Sequence, residues 1–312
     1  MKLNLLSKMT RTSRALLLAT LAFITTGAVK AQSGTNFFNN TISGINLGNA
    51  SGGSTLGHKN WAIFALSGGV TITDPVATYG DLSSYDVLGN VAIAGAGNLS
   101  MTASWIKGGI WVQTNTQVVP PSGAGFYVGT KTVDPTYLTT AVSQATAASN
   151  AATSLANATA GLVYTGGISG ASTSISLSAA ASITGAANTT YVMNLTDLIL
   201  SGSAATLTLN GTDTTNYIFN VSRFMTLSNL AQIKLGGSGL GNITEANVLF
   251  NVKSSTPQYD VALSGGSEAH GIILAKDRNV KLTGGSKVFG EVIAKGVSLS
   301  GVSKVINPFT SP

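Results

Sequence analysis

The chain has 312 residues, 37 of them glycine, with 44% hydrophobic and only 9% charged residues. An ordinary soluble domain carries roughly 25% charged residues, so Ser, Thr and Asn must solvate this surface. The absence of cysteine excludes a disulfide framework, a thiolate nucleophile and a Cys-ligated metal.

The formal charge of +6 does not describe the body of the chain. Five of the seventeen basic residues, Lys2, Lys8, Arg11, Arg14 and Lys30, precede residue 32, which leaves twelve against eleven acidic residues. The basic excess therefore belongs to a targeting segment and gives no reason to expect nucleic acid as a partner. Lys2, Lys8, Arg11 and Arg14 form a positive n-region. Residues 15–24 are apolar but too short to span a bilayer, and Val29-Lys30-Ala31 places small residues around a cleavage point. Residues 1–31 are predicted to be a Sec-type secretory signal cleaved after Ala31, which directs the chain outside the cell or to its surface. No later apolar run is long enough to cross a membrane.

Residues 32–60 are rich in Gly, Ser and Asn and read as an N-terminal lead. From Trp61 the pattern changes to short apolar runs bounded by turn residues: Trp61-Ala62-Ile63-Phe64-Ala65-Leu66, then Val87-Leu88-Gly89-Asn90-Val91-Ala92-Ile93, then Gly109-Ile110-Trp111-Val112. Runs of this kind predict strands. Residues 134–160 differ, being rich in Ala and free of Gly. Asp134 can cap a helix, Pro135 suits its first turn and Gly161 can stop it. Tyr137, Leu138, Val142, Ala145, Ala148, Ala152, Leu155 and Ala156 make a narrow apolar stripe, so one long helix is predicted along the side of the strand body.

After Gly166 the strand pattern resumes and repeats itself. Val261-Ala262-Leu263-Ser264-Gly265-Gly266-Ser267 aligns with Val280-Lys281-Leu282-Thr283-Gly284-Gly285-Ser286, and then with Val297-Ser298-Leu299-Ser300-Gly301-Val302-Ser303. A period just under 20 residues predicts a parallel β-solenoid over residues 61–309. In it, Val261, Val280 and Val297 stack inward, as do Leu263, Leu282 and Leu299. Ala262, Lys281 and Ser298 alternate outward, and Gly265, Gly284 and Gly301 turn the corner. Leu198 to Gly202 and Met225 to Asn229 are looser copies.

Residues 248–309 resemble the closing part of the bacterial choice-of-anchor A adhesive family. The matching pieces are Val248-Leu249-Phe250-Asn251-Val252, Gly271-Ile272-Ile273-Leu274-Ala275, Gly290-Glu291-Val292-Ile293-Ala294-Lys295 and Asn307-Pro308-Phe309; residues 86–95 resemble its opening turn of chain. The resemblance implies a surface or secreted binding role and brings no catalytic residues. Members carry C-terminal anchors of varying type, and residues 307–312 resemble none. Bacterial ice-binding solenoids are similar in plan, with strands, a long helix and further strands.

The chemistry-bearing residues are sparse. No two of the eleven acidic residues form a local pair. Glu268 aligns with Lys287, so its expected partner is a cation, and Asp260 aligns with Asn279 in a turn. His270 aligns with Phe289 and Ile306, a packing position, and His58 stands alone, so neither a zinc site nor any other cofactor is expected. Lys276, Arg278, Lys281, Lys287, Lys295 and Lys304 form the candidate binding surface, suited to an acidic glycan or lipopolysaccharide. Three functions follow. The first is a non-enzymatic adhesive or matrix module that binds a surface, glycan or protein through its outward faces. The second is ice binding, for which Thr71-Ile72-Thr73 and Thr206-Leu207-Thr208 speak and the outward Ala262, Lys281 and Ser298 speak against. The third is a carbohydrate-active enzyme, for which no acidic cluster can be assembled.

Overall fold

The computed structural model describes residues 41–42, 45–46, 61–73, 85–118, 126–237, 241–253 and 259–308. The secretory signal, His58 and most of the lead lie outside them. Within the lead, Thr41–Ile42 and Ile45–Asn46 pair antiparallel. The rest of the unit spanning Asn36–Pro312 is mostly strand, with one long helix.

Nearly all of the strands pair parallel, in three ladders. The first runs through 190–195, 216–221, Val248–Val252, 272–274, 291–294, Trp61–Ala65, Asn90–Ile93, Ile110–Val112 and Lys131–Val133. The second runs through Ser174–Leu177, 197–201, 224–228, Val261–Leu263, 279–282, 297–300, Val70–Thr73 and Leu99–Thr102. The third begins at Ala180–Thr184 and ends at Phe126–Tyr127, with Lys304–Ile306 and Val87–Leu88 adjacent within it. Val163–Tyr164 covers the starting edge of the third ladder antiparallel.

The aligned repeats pair as their sequence requires. Val261 lies opposite Val280 and Val280 opposite Val297; Leu263, Leu282 and Leu299 follow the same register. All six are buried, whereas Ala262, Lys281 and Ser298 retain solvent contact. Gly265, Gly284 and Gly301 have φ of +61°, +63° and +63°. The residue after each is also left-handed: Gly266, Gly285 and, in the third copy, Val302 at φ +59°. A buried serine, Ser267, Ser286 or Ser303, closes each turn, and the last two donate to the carbonyls of Thr283 and Ser300.

The order of strands in space is not their order in the chain. Val292, Ile293 and Ala294 pair with Ile63, Phe64 and Ala65, and residues 297–300 pair with Val70–Thr73. The expected arrangement, a helix between opening and main strands, therefore holds in sequence only. The opening strands add on beyond the closing ones, and the chain must then return from Val133 to residue 158 at the other end. The first ladder makes eight steps of roughly 4.8 Å between those ends, about 38 Å. Helix α1, Pro135–Ser154, covers roughly 30 Å of this at 1.5 Å per residue. Extended chain from Leu155 to Ala158 completes the return, where Ala158 bridges Val192.

Asp134 caps α1 as expected, its carboxylate accepting from the Tyr137 N–H at 3.0 Å. The helix ends at Ser154 rather than near residue 160, so Gly161 does not stop it. Asn194 holds the chain extended there: its Nδ2 donates to the Leu155 carbonyl and its N–H to Asn157 Oδ1. Leu138, Ala141, Ala145, Ala148 and Ala152 are buried against Phe64, Ala92, Ile218, Leu249, Ile272, Leu274 and Ile293. Their spacing of three and four residues advances about 5 Å, close to one rung. Ala156, expected in the stripe, is exposed, and Ala141 takes a place in it.

An asparagine ladder fastens the helix. Asn251 Nδ2 donates to Asn220 Oδ1 and Asn220 Nδ2 to Asn194 Oδ1, both at 2.8 Å. Asn220 also donates to the Ala152 carbonyl, and Asn251 to the Ser149 carbonyl, while the Ser149 hydroxyl donates to Asn251 Oδ1. Asn220 and Asn251 are fully buried, so truncation strands several polar groups without water. Asn251→Ala is expected to lower the unfolding free energy by about 2–4 kcal/mol, read from urea denaturation. By contrast, a β-branched residue at φ +59° is strained. Val302→Gly should therefore raise the unfolding free energy by about 1 kcal/mol, read from the same urea denaturation.

Candidate functional site

The helix covers the first ladder, and strand alternation leaves regular outward columns on the second. One of its outward columns is hydroxyl-bearing at each rung. Ser201 lies opposite Ser228, Ser300 opposite Thr73, and Thr73 opposite Thr102. Between them, Ser264 and Thr283 follow Leu263 and Leu282, which pair with Leu227 and Leu299. The column thus reads Ser201, Ser228, Ser264, Thr283, Ser300, Thr73, Thr102, with about 4.8 Å per rung. The neighbouring outward column reads Ser176, Ile199, Thr226, Ala262, Lys281, Ser298, Thr71, Ser100. Sequence reasoning found the copies around 261–300 but not that residues 71–73 and 100–102 extend them. That extension depends on the out-of-order pairing.

The six expected binding residues do not share one face. Lys281 stands on the second ladder and forms an ion pair with Asp260 at 2.7 Å, so Asp260 is more than a turn residue. Lys287 and Lys304 are opposite one another on the third ladder. Lys287 pairs with Glu268 at 2.8 Å, the partner expected from the alignment. Lys276, at a corner, contacts Asp277 at 2.6 Å, and Lys295 is exposed. Arg278 is a correction: it is buried, and its guanidinium donates to the carbonyls of Ser222, Arg223 and Lys253. It supports a corner of the backbone and cannot serve as a surface contact. His270 stacks on Phe289 with ring centroids 4.5 Å apart, and its Nδ1 lies 2.8 Å from Glu245 Oε1.

Among the described residues no group of three or more His, Asp or Glu could hold a metal ion. No helix among them is long and apolar enough to cross a membrane. The most unusual titratable group is Glu291. It lies on the helix-covered ladder opposite Ile272, is fully buried, and neither carboxyl oxygen has a hydrogen-bond partner. Burial holds its carboxyl well above the usual carboxylate range. Tyr137 of α1 is also pushed up, mainly by burial and in part by the Glu291 charge.

Residues 47–304 match the family described as "Putative Ice-binding-like adhesive domain", and the chain belongs to that family. The expected adhesive domain with a likeness to ice-binding proteins is thereby found; the choice-of-anchor A label rests on the quoted motifs. The chain is similar in fold to the ice-binding protein LeIBP from an Arctic yeast, at 20% identity and TM-score 0.50, over 81% of this chain and 93% of that one. An ice-binding protein of the Antarctic ascomycete Antarctomyces psychrotrophicus is 16% identical over 79% of this chain and 95% of its own, with TM-score 0.46. An ice-binding protein domain of Shewanella frigidimarina is 14% identical over 78% and 94%, with TM-score 0.44. No curated protein matches the chain.

Because the folded state raises the Glu291 pKa, it binds a proton that the unfolded chain gives up at ordinary carboxylate pH. The native state is therefore favoured below about pH 4.3 and loses stability as pH rises toward the elevated folded value. Glu291→Leu should remove this slope between pH 4.5 and 8. It should add about 1–3 kcal/mol at neutral pH, measured by thermal unfolding of both proteins across that range.

Proposed function

We propose that the chain is a secreted, non-enzymatic adhesive module whose three ladders form a parallel β-solenoid. It binds a surface, glycan or protein through the second ladder. The uninterrupted hydroxyl column, Ser201 to Thr102 in spatial order, carries this reading. Every rung from Ser201 to Thr73 is held by paired strands on both sides, so these positions are ordered before any partner arrives. A preorganised array loses little freedom on binding an ordered surface. Lys281 stands within this face, and Lys287 and Lys304 flank it on the neighbouring ladder. Membership of an adhesive-domain family supports the role, and the predicted signal in residues 1–31 supports export.

A second reading, ice binding, is favoured by the same regular column and by the ice-binding protein of similar fold. Ile199, Ala262 and Lys281 break the adjoining column and weigh against it. The discriminating experiment measures retention of the purified chain on a glycan and matrix-protein panel, together with thermal hysteresis. Retention without hysteresis, weakened about tenfold by Thr73→Asp with Thr102→Asp, is the expected result. Hysteresis abolished by the same pair would move the function to ice. Retention on nothing and no hysteresis would remove both readings.

A further inference from the structure

Three lysines occupy equivalent positions at one corner on consecutive rungs. Val221 pairs with Val252, Asn251 with Leu274 and Ala275 with Ala294. Lys253, Lys276 and Lys295 come next along these three segments and so meet at one corner, where the register shifts between Ala275 and Asn279. Like charges placed directly opposite destabilise a ladder. Asp277, 2.6 Å from Lys276 Nζ, is the one carboxylate paired with this column among the described residues. The buried guanidinium of Arg278 lies behind it, bound to carbonyls. Asp260, whose charge Arg278 feels, is paired with Lys281.

Beside the column, Ser149, Asn150 and Thr153 of α1 join Ser222, Lys253, Lys276 and Asp277 around a pocket of about 320 Å³. Two of its backbone carbonyls, those of Ser222 and Lys253, already accept from Arg278. Thr153 Oγ1 accepts from Asn251, which leaves its own proton to donate. Donors and positive charge dominate this edge, and they recur with the period of the rungs. A repeating array of this kind suits a repeating anion, with one charged group for each step.

We propose that Lys253, Lys276 and Lys295, with the pocket beside α1, bind successive carboxylates of an extended acidic polysaccharide of the polyuronate class. This edge is separate from the hydroxyl face, so the proposal does not rest on the adhesive reading of that face. The test is binding of the full chain to immobilised polygalacturonate, with neutral dextran, dextran sulfate and duplex DNA as competitors. Lys253→Gln/Lys276→Gln/Lys295→Gln is compared with Lys107→Gln/Lys131→Gln/Lys234→Gln, which removes the same charge elsewhere; thermal unfolding checks that both remain folded. Polygalacturonate binding should weaken about tenfold or more in the first variant and less than about twofold in the second. No binding to polygalacturonate, equal loss in both lysine variants, or equal competition by DNA or dextran sulfate overturns the proposal.

Discussion

Each inner strand here hydrogen-bonds in register to the strands on either side, and that register decides what its side chains can do. It stacks Val261, Val280 and Val297 into the core and sends Lys281 and Ser298 outward from the same strands. It also turns scattered residues into columns. A serine at 300 and threonines at 73 and 102 are far apart in sequence but consecutive on the surface. With so few charged residues, most of the outward surface is built from such hydroxyl and amide columns, and its specificity lies in repetition rather than in any single constellation.

The helix shows how strongly register governs the remainder. Its buried stripe is alanine, which allows a close approach, and three stacked asparagines provide matching hydrogen bonds at its C-terminal half. At its other half the same ladder carries Glu291, a carboxyl without a partner. The C-terminal half of α1 is thus fastened by stacked amides, while the ladder beneath its other half buries a carboxyl that water would stabilise better.

Much of this was legible in the sequence, and the limits are specific. The 19- and 17-residue offsets gave the inward valines and leucines, the glycine corners and the Glu268–Lys287 pair, because adjacent copies are adjacent strands. The asparagine ladder was less visible: Asn194, Asn220 and Asn251 lie in longer, divergent repeats whose alignment is not obvious. Glu291 could have been flagged, since it aligns with Ile272 in an otherwise apolar position. Arg278 was misread because charge suggests solvent, whereas three backbone carbonyls hold it inside. The joining of residues 61–73 to 287–300 had no local signal, as nothing in either segment names a partner more than two hundred residues away.

That joining has a kinetic side. Loop closure over such a separation comes late, after nearer contacts have formed. During synthesis the amino-terminal strands would emerge long before the segment they dock upon exists, and would wait without a template. A polypeptide arranged this way can build residues 174–300 rung by rung, but joins its opening strands to that stack only once the closing strands have been made.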